Sequence, residues 1–155
     1  MKRLTLVRHA KSEKYISNDI DRELTLKGLK DIELVAKNVN FMPDFAISSP
    51  AKRALQSSKK FLEQINYNNK LSIIDRLYGA TLSELKGTIR GIDNKYNSVI
   101  IFGHNPTFEE FSLHFINIEK FSTSSLISIQ FNKEWQEFDF YDIVSILYLT
   151  PKGLK

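Results

Sequence analysis

Cysteine is absent from this 155-residue chain. Its absence excludes disulfide bonds, thiolate metal sites and a cysteine nucleophile. No apolar run approaches the roughly 20 residues that a membrane-spanning helix needs. The N-terminal residues 1–4 lead straight into a strand pattern, without the apolar segment of a signal peptide. These absences predict a cytoplasmic protein with no membrane partner.

Blocks of like charge are also missing. The net charge is only +4, and the basic residues are spread along the chain rather than gathered. No nucleic-acid-binding motif accompanies them, so we expect no nucleic acid partner. A mildly positive surface does suit an anionic substrate or an acidic partner. With 42% hydrophobic and 26% charged residues and no internal repeat or linker, residues 1–155 are expected to form one globular domain.

Segments with strand and helix patterns alternate along the chain, which predicts an α/β fold with a mainly parallel sheet. The polar stretch 11–23 predicts a loop over the sheet edge. The predicted strands are 3–8, 45–48, 71–74, 98–102, 124–131 and 141–149. The predicted helices run from the N-cap Thr25 to about 40, from Pro50 to 66, over 83–92, and from Pro106 to 118.

The first predicted strand ends in Arg8 and His9. In α/β proteins, ligand sites lie at the carboxyl ends of the strands. Arginine offers a fork of donors that suits a phosphate, and histidine can attack phosphorus or carry a proton. By itself the pair is more typical of a strand end with two solvated polar residues. Lys11, two residues on, suits either a contact to the phosphate or an acidic partner, or a solvated loop position.

Two later strands end in a similar pattern. Ser49-Pro50 and Asn105-Pro106 each follow a predicted strand. Serine or asparagine before proline is typical of a helix N-terminus, with the first residue as the cap. Helix N-termini favour anions, so we expect both to face the edge where Arg8 and His9 emerge. Arg53 follows one of these turns, and His104 precedes the other.

Together, Arg8, His9, Arg53 and His104 form a predicted phosphate site. Two arginines can neutralise a phosphate dianion and the charge of its transition state. One histidine can act as the nucleophile while the other donates a hydrogen bond to a phosphate oxygen. Neighbouring cations would keep the nucleophile neutral, which attack on phosphorus requires.

These segments resemble the motifs of the histidine phosphatase superfamily, in its small SixA-like branch of phosphohistidine phosphatases. Arg8-His9-Ala10 is similar to the family's Arg-His-Gly or Arg-His-Ala motif. Residues 49–57 are similar to its Ser-Pro-x-x-Arg-Ala-x-Gln-Thr motif, with serine for the final threonine. Residues 22–28 resemble its Arg-x-Leu-Thr-x-x-Gly element, with Glu23 where proline is usual, and 99–106 resemble its strand followed by a histidine and a proline.

The resemblance implies a three-layer α/β sandwich around a mostly parallel sheet, the histidine phosphatase (phosphoglycerate mutase-like) fold. It implies that His9 is phosphorylated and then dephosphorylated by water. Arg8, Arg53 and His104 would bind the phosphate, with Lys11 and Asn105 as further candidates for substrate binding. The family uses no metal and no organic cofactor.

Larger branches of the family also carry an acid that protonates an alkoxide leaving group. Here Glu84 is the nearest candidate, and it equally suits a charge at a helix start. Weaker candidates, typical of strand ends or solvated loops, are Asp75, Glu13, Asp19 and Asp21.

A missing acid bears on the substrate, because imidazole needs less protonation to leave than an alkoxide does. The chain also has no inserted lid domain. Both points favour a phosphohistidine on a protein as the substrate. Two alternatives stay open: a phosphatase of small metabolites or nucleotides that uses Glu84, and a binding module that holds phosphate without catalysis.

Overall fold

The computed structural model describes residues 1–14 and 18–155, and its centre is a six-stranded sheet. The strands are β1 Lys2–Arg8, β2 Phe45–Ser48, β3 Leu71–Ile73, β4 Ser98–Gly103, β5 Leu126–Phe131 and β6 Ile143–Leu149. Their order is β3-β2-β4-β1-β5-β6. The first four run parallel, and β5 and β6 are antiparallel additions at one edge. The predicted, mostly parallel sheet is confirmed.

Helices cover both faces of the sheet. They are α1 Leu26–Lys37, α2 Lys52–Gln64, α3 Leu82–Arg90, α4 Thr107–Ser112 and α5 Pro151–Leu154. Alternate residues of each central strand face opposite sides: Ile101 packs with residues of α3 and α4, whereas Ile100 packs with residues of α1 and α2. This period-two alternation of buried strand residues produces the predicted three layers. None of the helices described is long and apolar enough to cross a membrane.

The sequence predicts which segments form helices more accurately than it predicts where those helices begin and end. Thr25 caps α1 as predicted, because its Oγ1 accepts a hydrogen bond from Gly28 N at 2.9 Å. The helix predicted to reach residue 118 ends at Ser112 instead. Beyond it, His114 N bonds to Phe111 O at 3.2 Å, three residues back, which is a turn rather than a continued α-helix.

Both predicted helix starts at proline are wrong. α2 begins at Lys52, with Ala51 as its cap, because Ser49 Oγ accepts from Ala51 N at 3.2 Å and holds a turn before the helix. α4 begins at Thr107, and the Asn105 side chain donates to Phe121 O instead of capping the helix. Neither side chain caps a helix, so both are available for other contacts.

The predicted loop 11–23 is held by two short backbone contacts, while residues 15–17 lie outside the described residues. Ser12 bridges to Leu24, and Glu13 N donates to Glu23 O at 2.8 Å. The loop packs directly onto Gly28 of α1. A Cβ atom there would lie 2.2 Å from Lys11 O, so only glycine permits this approach.

The close approach at Gly28 predicts a stability difference between two helical glycines. Gly28→Ala is expected to lower the free energy of unfolding by about 1–3 kcal/mol, because the methyl group meets backbone. Gly87→Ala in α3 is expected to raise it by about 0.5–1 kcal/mol, since nothing lies within 4 Å and alanine favours helix. Urea unfolding followed by circular dichroism measures both. Equal stability of the two variants would contradict the packing described here.

Candidate active site

The register of the parallel strands brings the candidate residues to one edge of the sheet. Arg8 of β1 is aligned with Gly103 of β4, so His9 and His104 emerge side by side. Ser48 of β2 is aligned with Phe102, which brings Ser49 to the same edge. The rings of His9 and His104 lie 5.1 Å apart between centroids.

His9 is oriented by backbone groups. Its backbone N–H donates to Gly103 O at 3.0 Å, and its ring atom Nδ1 lies 2.8 Å from Ala10 O. A carbonyl oxygen only accepts, so Nδ1 carries the proton and Nε2 holds the free lone pair. The residue is only 6% exposed. The structure thus leaves the lone pair of Nε2 free on a neutral ring.

Both rings are strongly shifted toward the neutral form. The pKa of His9 is lowered to about 3, chiefly by burial and to a lesser extent by His104, Arg8 and Arg53, against the opposing effect of the hydrogen bond to Ala10. Burial also lowers the pKa of His104 to about 4, with Arg53 as the next cause. The predicted neutrality of His9 is found, but desolvation is a larger cause than the arginines.

The two arginines are anchored alike. Arg8 Nη1 donates to Phe121 O at 3.1 Å, and Arg53 Nη1 donates to Asp19 O at 2.8 Å. The Nε atom of each is buried and has no partner among the described residues. Each guanidinium is therefore held at one end by a backbone carbonyl, while its Nε–H stays available for an oxyanion.

His104 pairs with a residue whose role the sequence did not reveal. Its Nε2 lies 2.7 Å from the hydroxyl of Ser49, which is fully buried. The same oxygen accepts from Ala51 N, so its own proton is free to go to Nε2. Nδ1 of His104 is buried, and no described residue bonds to it. With Ser49 as donor to Nε2, Nδ1 carries a hydrogen that an anion can accept.

The segment 121–125, which precedes β5, holds several site residues in place through its backbone groups. Phe121 O accepts from both Arg8 and Asn105 Nδ2, the latter at 2.8 Å. Ser124 N donates to the carbonyls of Arg8 and His9 at 3.2 and 3.1 Å. Asn105 thus positions the segment that anchors Arg8, and its Oδ1 is buried without a partner among the described residues.

Glu84 is held in a capping box at the start of α3. Its carboxylate accepts from Thr81 N at 3.0 Å, and this hydrogen bond lowers its pKa. Of the two interpretations left open by the sequence, the structure shows the charge at a helix start. Lys11 is exposed, and its contact to the fold is through its carbonyl, which accepts from Thr25 N at 2.9 Å.

Asp19 corrects the expectation of a solvated loop charge. Its Oδ2 accepts from Arg53 Nη2 at 3.1 Å and from the Tyr78 hydroxyl at 2.5 Å. The Tyr78 ring also packs edge-on to His104, with centroids 5.8 Å apart. Neither residue belongs to a motif that the sequence singles out, because both reach the site through tertiary contacts.

A cavity of about 350 Å³ opens beside His104. Its walls are mainly apolar, including Leu77, Leu85 and Phe108, and Glu110 lies on its lining. Among residues 1–14 and 18–155, no group of three histidine, aspartate or glutamate side chains is arranged to hold a metal ion.

The sequence of residues 4–104 matches the model of the histidine phosphatase superfamily, branch 1. The chain belongs to this superfamily. No curated protein matches it. The family match spans the strand that carries Arg8 and His9, the turn before Arg53, and β4 up to His104.

Solved structures of SixA proteins have the same fold. The protein histidine phosphatase SixA complexed with tungstate superposes with a TM-score of 0.80 at 18% identity, over 99% of both chains. A protein of Agrobacterium tumefaciens assigned as the phosphohistidine phosphatase SixA gives 0.77 at 25% identity, over 94% of this chain and 97% of that one. One of Nakamurella multipartitia, assigned likewise, gives 0.73 at 18% identity, over 94% and 95%.

The lowered pKa values predict how the two histidines titrate. In the phosphate-free protein, the rings of His9 and His104 are expected to stay neutral as the pH passes 6.5, the usual pKa of histidine. Since the unfolded chain does take up these protons, stability is expected to fall as the pH drops from about 6.5 toward 4. NMR of ring carbon-bound protons measures the titration. A midpoint near 6.5 for either ring would contradict the burial described.

Proposed function

We propose that this protein is a phosphatase that hydrolyses phosphohistidine on a protein substrate through a phosphorylated His9, without a metal ion. The observation that carries the proposal is a neutral His9 with a free Nε2, next to His104 and close enough to two arginines with free Nε–H groups for both to lower its pKa. Such an arrangement combines a nucleophile with donors for an oxyanion.

In the first step, the Nε2 lone pair of His9 attacks phosphorus from the side opposite the leaving group. The new Nε2–P bond forms as the P–N bond to the substrate ring breaks. The substrate ring carries a proton on its other nitrogen, so it leaves with the electron pair as a neutral imidazole. In the second step, water attacks the phosphorus of phospho-His9. The P–Nε2 bond breaks, the electron pair returns to Nε2, and the water proton is lost to solvent or phosphate.

Charge on the equatorial oxygens of each transition state is stabilised by Arg8, Arg53 and His104. The arginines supply full positive charge through Nε–H, and His104 supplies a neutral Nδ1–H that Ser49 keeps in place. In a dry site these interactions are stronger than in water. The same hydrogen bond of His9 to Ala10 O holds its ring in the attacking orientation throughout.

The states of the acid candidates Glu84 and Asp19 favour a phosphoramidate over a phosphate ester as the substrate. Glu84 is bound in its capping box, and Asp19 is held as a carboxylate by Tyr78, Arg22 and Arg53. Neither offers a proton to an alkoxide. An imidazole leaves with much less protonation, so the same site suits phosphohistidine. The likeness in fold to SixA proteins over almost the whole chain supports this substrate class.

The covalent step predicts a trapped intermediate. Acid-free quenching during turnover of a small phosphoramidate should yield wild-type protein carrying one phosphoryl group, measured by intact mass. His9→Ala should carry none, because it lacks the attacking nitrogen. His114→Gln is the matched control, since His114 stacks on Phe140 at 3.8 Å, away from His9. A phosphoryl group retained by His9→Ala would overturn the assignment of the nucleophile.

The substrate class predicts a kinetic preference. We expect kcat/KM for a phosphohistidine-bearing protein to exceed that for alkyl phosphate esters by about 100-fold or more, the usual contribution of a general acid. Glu84→Gln should change neither rate by more than about 2-fold, because it only weakens a helix cap. Faster ester hydrolysis, or a large loss of ester turnover in Glu84→Gln, would instead favour the small-metabolite alternative.

A further inference from the structure

We infer that Asp19 is a positioning residue, which orients Arg53 for the transition state and ties Tyr78 beside His104. The inference rests on the proposed function of the same site. The Asp19 side chain is half exposed, yet it reaches the nearly buried guanidinium of Arg53 from a loop 34 residues earlier in the chain. Its contact to Arg53 is therefore tertiary rather than local.

Arg22 holds the loop in the position that this contact requires. Its Nε donates to Glu13 O at 2.7 Å, and its Nη2 donates to Ser12 Oγ at 2.9 Å. Its Nη1 donates to Asp19 Oδ1 at 3.0 Å. One guanidinium thus connects both ends of the loop to the Asp19 carboxylate and fixes the direction in which Oδ2 points.

Asp19 accepts hydrogen bonds from two N–H groups of Arg53, and the other N–H groups of the guanidinium stay free of it. Its carbonyl oxygen accepts from Nη1 at 2.8 Å, and its Oδ2 accepts from Nη2 at 3.1 Å. A guanidinium has five N–H groups in one plane, so Nε–H and a second Nη2–H remain on another edge. These form a two-pronged donor whose direction is set by the Asp19 contacts.

Tyr78 extends the same arrangement to His104. Its hydroxyl donates to Asp19 Oδ2 at 2.5 Å, while its ring packs against His104. The Arg53 guanidinium lies 5.9 Å from the centroid of that ring. Asp19 thus contacts Arg53 directly and His104 through the ring of Tyr78, and both Arg53 and His104 would contact the phosphoryl oxygens. Loss of the Asp19 carboxylate removes a contact that restrains the side chains of Arg53 and Tyr78.

Orientation of this kind is most important where oxygen positions change during the reaction. Orthophosphate is tetrahedral, whereas vanadate bound to a histidine can adopt the five-coordinate geometry of the transition state. Removing the carboxylate also removes a negative charge, which by itself would strengthen the binding of both anions. A positioning role is thus distinguished from a charge effect by comparing the two anions.

The test measures binding of orthophosphate and vanadate to Asp19→Asn, together with kcat and KM on a small phosphoramidate. We expect the vanadate Kd to rise by about 10-fold or more, the size of one charge-assisted hydrogen bond, with less than about 3-fold change for orthophosphate. We expect kcat to fall by about 10-fold with little change in KM. Tyr78→Phe should give a smaller loss in the same direction.

Asp21→Asn is the matched control. Asp21 lies with Asp19 on a short 3-10 helix, Asp19–Asp21, and its only side-chain hydrogen bond among the described residues is to Asn18, at 3.4 Å. It removes the same charge from the same loop without touching Arg53, so it should leave both anion affinities and kcat within about 2-fold of wild type.

Each remaining outcome decides between the two proposals. The positioning role would be overturned if Asp19→Asn changed the Kd of both anions equally or tightened vanadate binding. It would also be overturned if Asp21→Asn had the same effect as Asp19→Asn. Wild-type protein that binds vanadate but does not turn over phosphoramidates would overturn the proposed function, while the ratio of anion affinities would still decide the role of Asp19. Failure of the wild type to bind vanadate would overturn both.

Discussion

The parallel pairing of β1 with β4 is the constraint on which the site depends. It aligns Arg8 with Gly103, so that the two strands end together and His9 and His104 follow at once. The bond from His9 N to Gly103 O continues this pairing one residue beyond the strand. Two side chains from distant parts of the chain are thereby held with their rings 5.1 Å apart. A shift in register would separate the rings and remove the site.

Burial supplies the second condition. The sheet edge is covered closely enough that desolvation is the largest cause of the low pKa of both histidines. In the proposed function a neutral His9 is the reactive form, and a neutral His104 can still donate one hydrogen bond. The same buried surroundings strengthen the electrostatic attraction between the two arginines and an anion. One property of the packing therefore prepares the nucleophile and the oxyanion donors together.

Backbone carbonyls carry out most of the orientation. Ala10 O selects the tautomer of His9, Phe121 O anchors Arg8, and Asp19 O anchors Arg53. Because any residue type supplies a carbonyl, these contacts leave no trace in the sequence.

The sequence by itself determined the alternation of strands and helices, the cap at Thr25 and the candidate residues Arg8, His9, Arg53 and His104, since periodicity and motif spacing are local. Local pattern also suggested caps at Ser49 and Asn105, where tertiary contacts compete more strongly for the same side chains. The capping box of Thr81 and Glu84 is also a local pattern, although the sequence left Glu84 open between this role and that of an acid. Only the tertiary structure decided that Asp19 reaches Arg53 and that Tyr78 packs against His104. These outcomes depend on how loops far apart in the chain meet, and that is set by the packing of the layers rather than by neighbours in sequence.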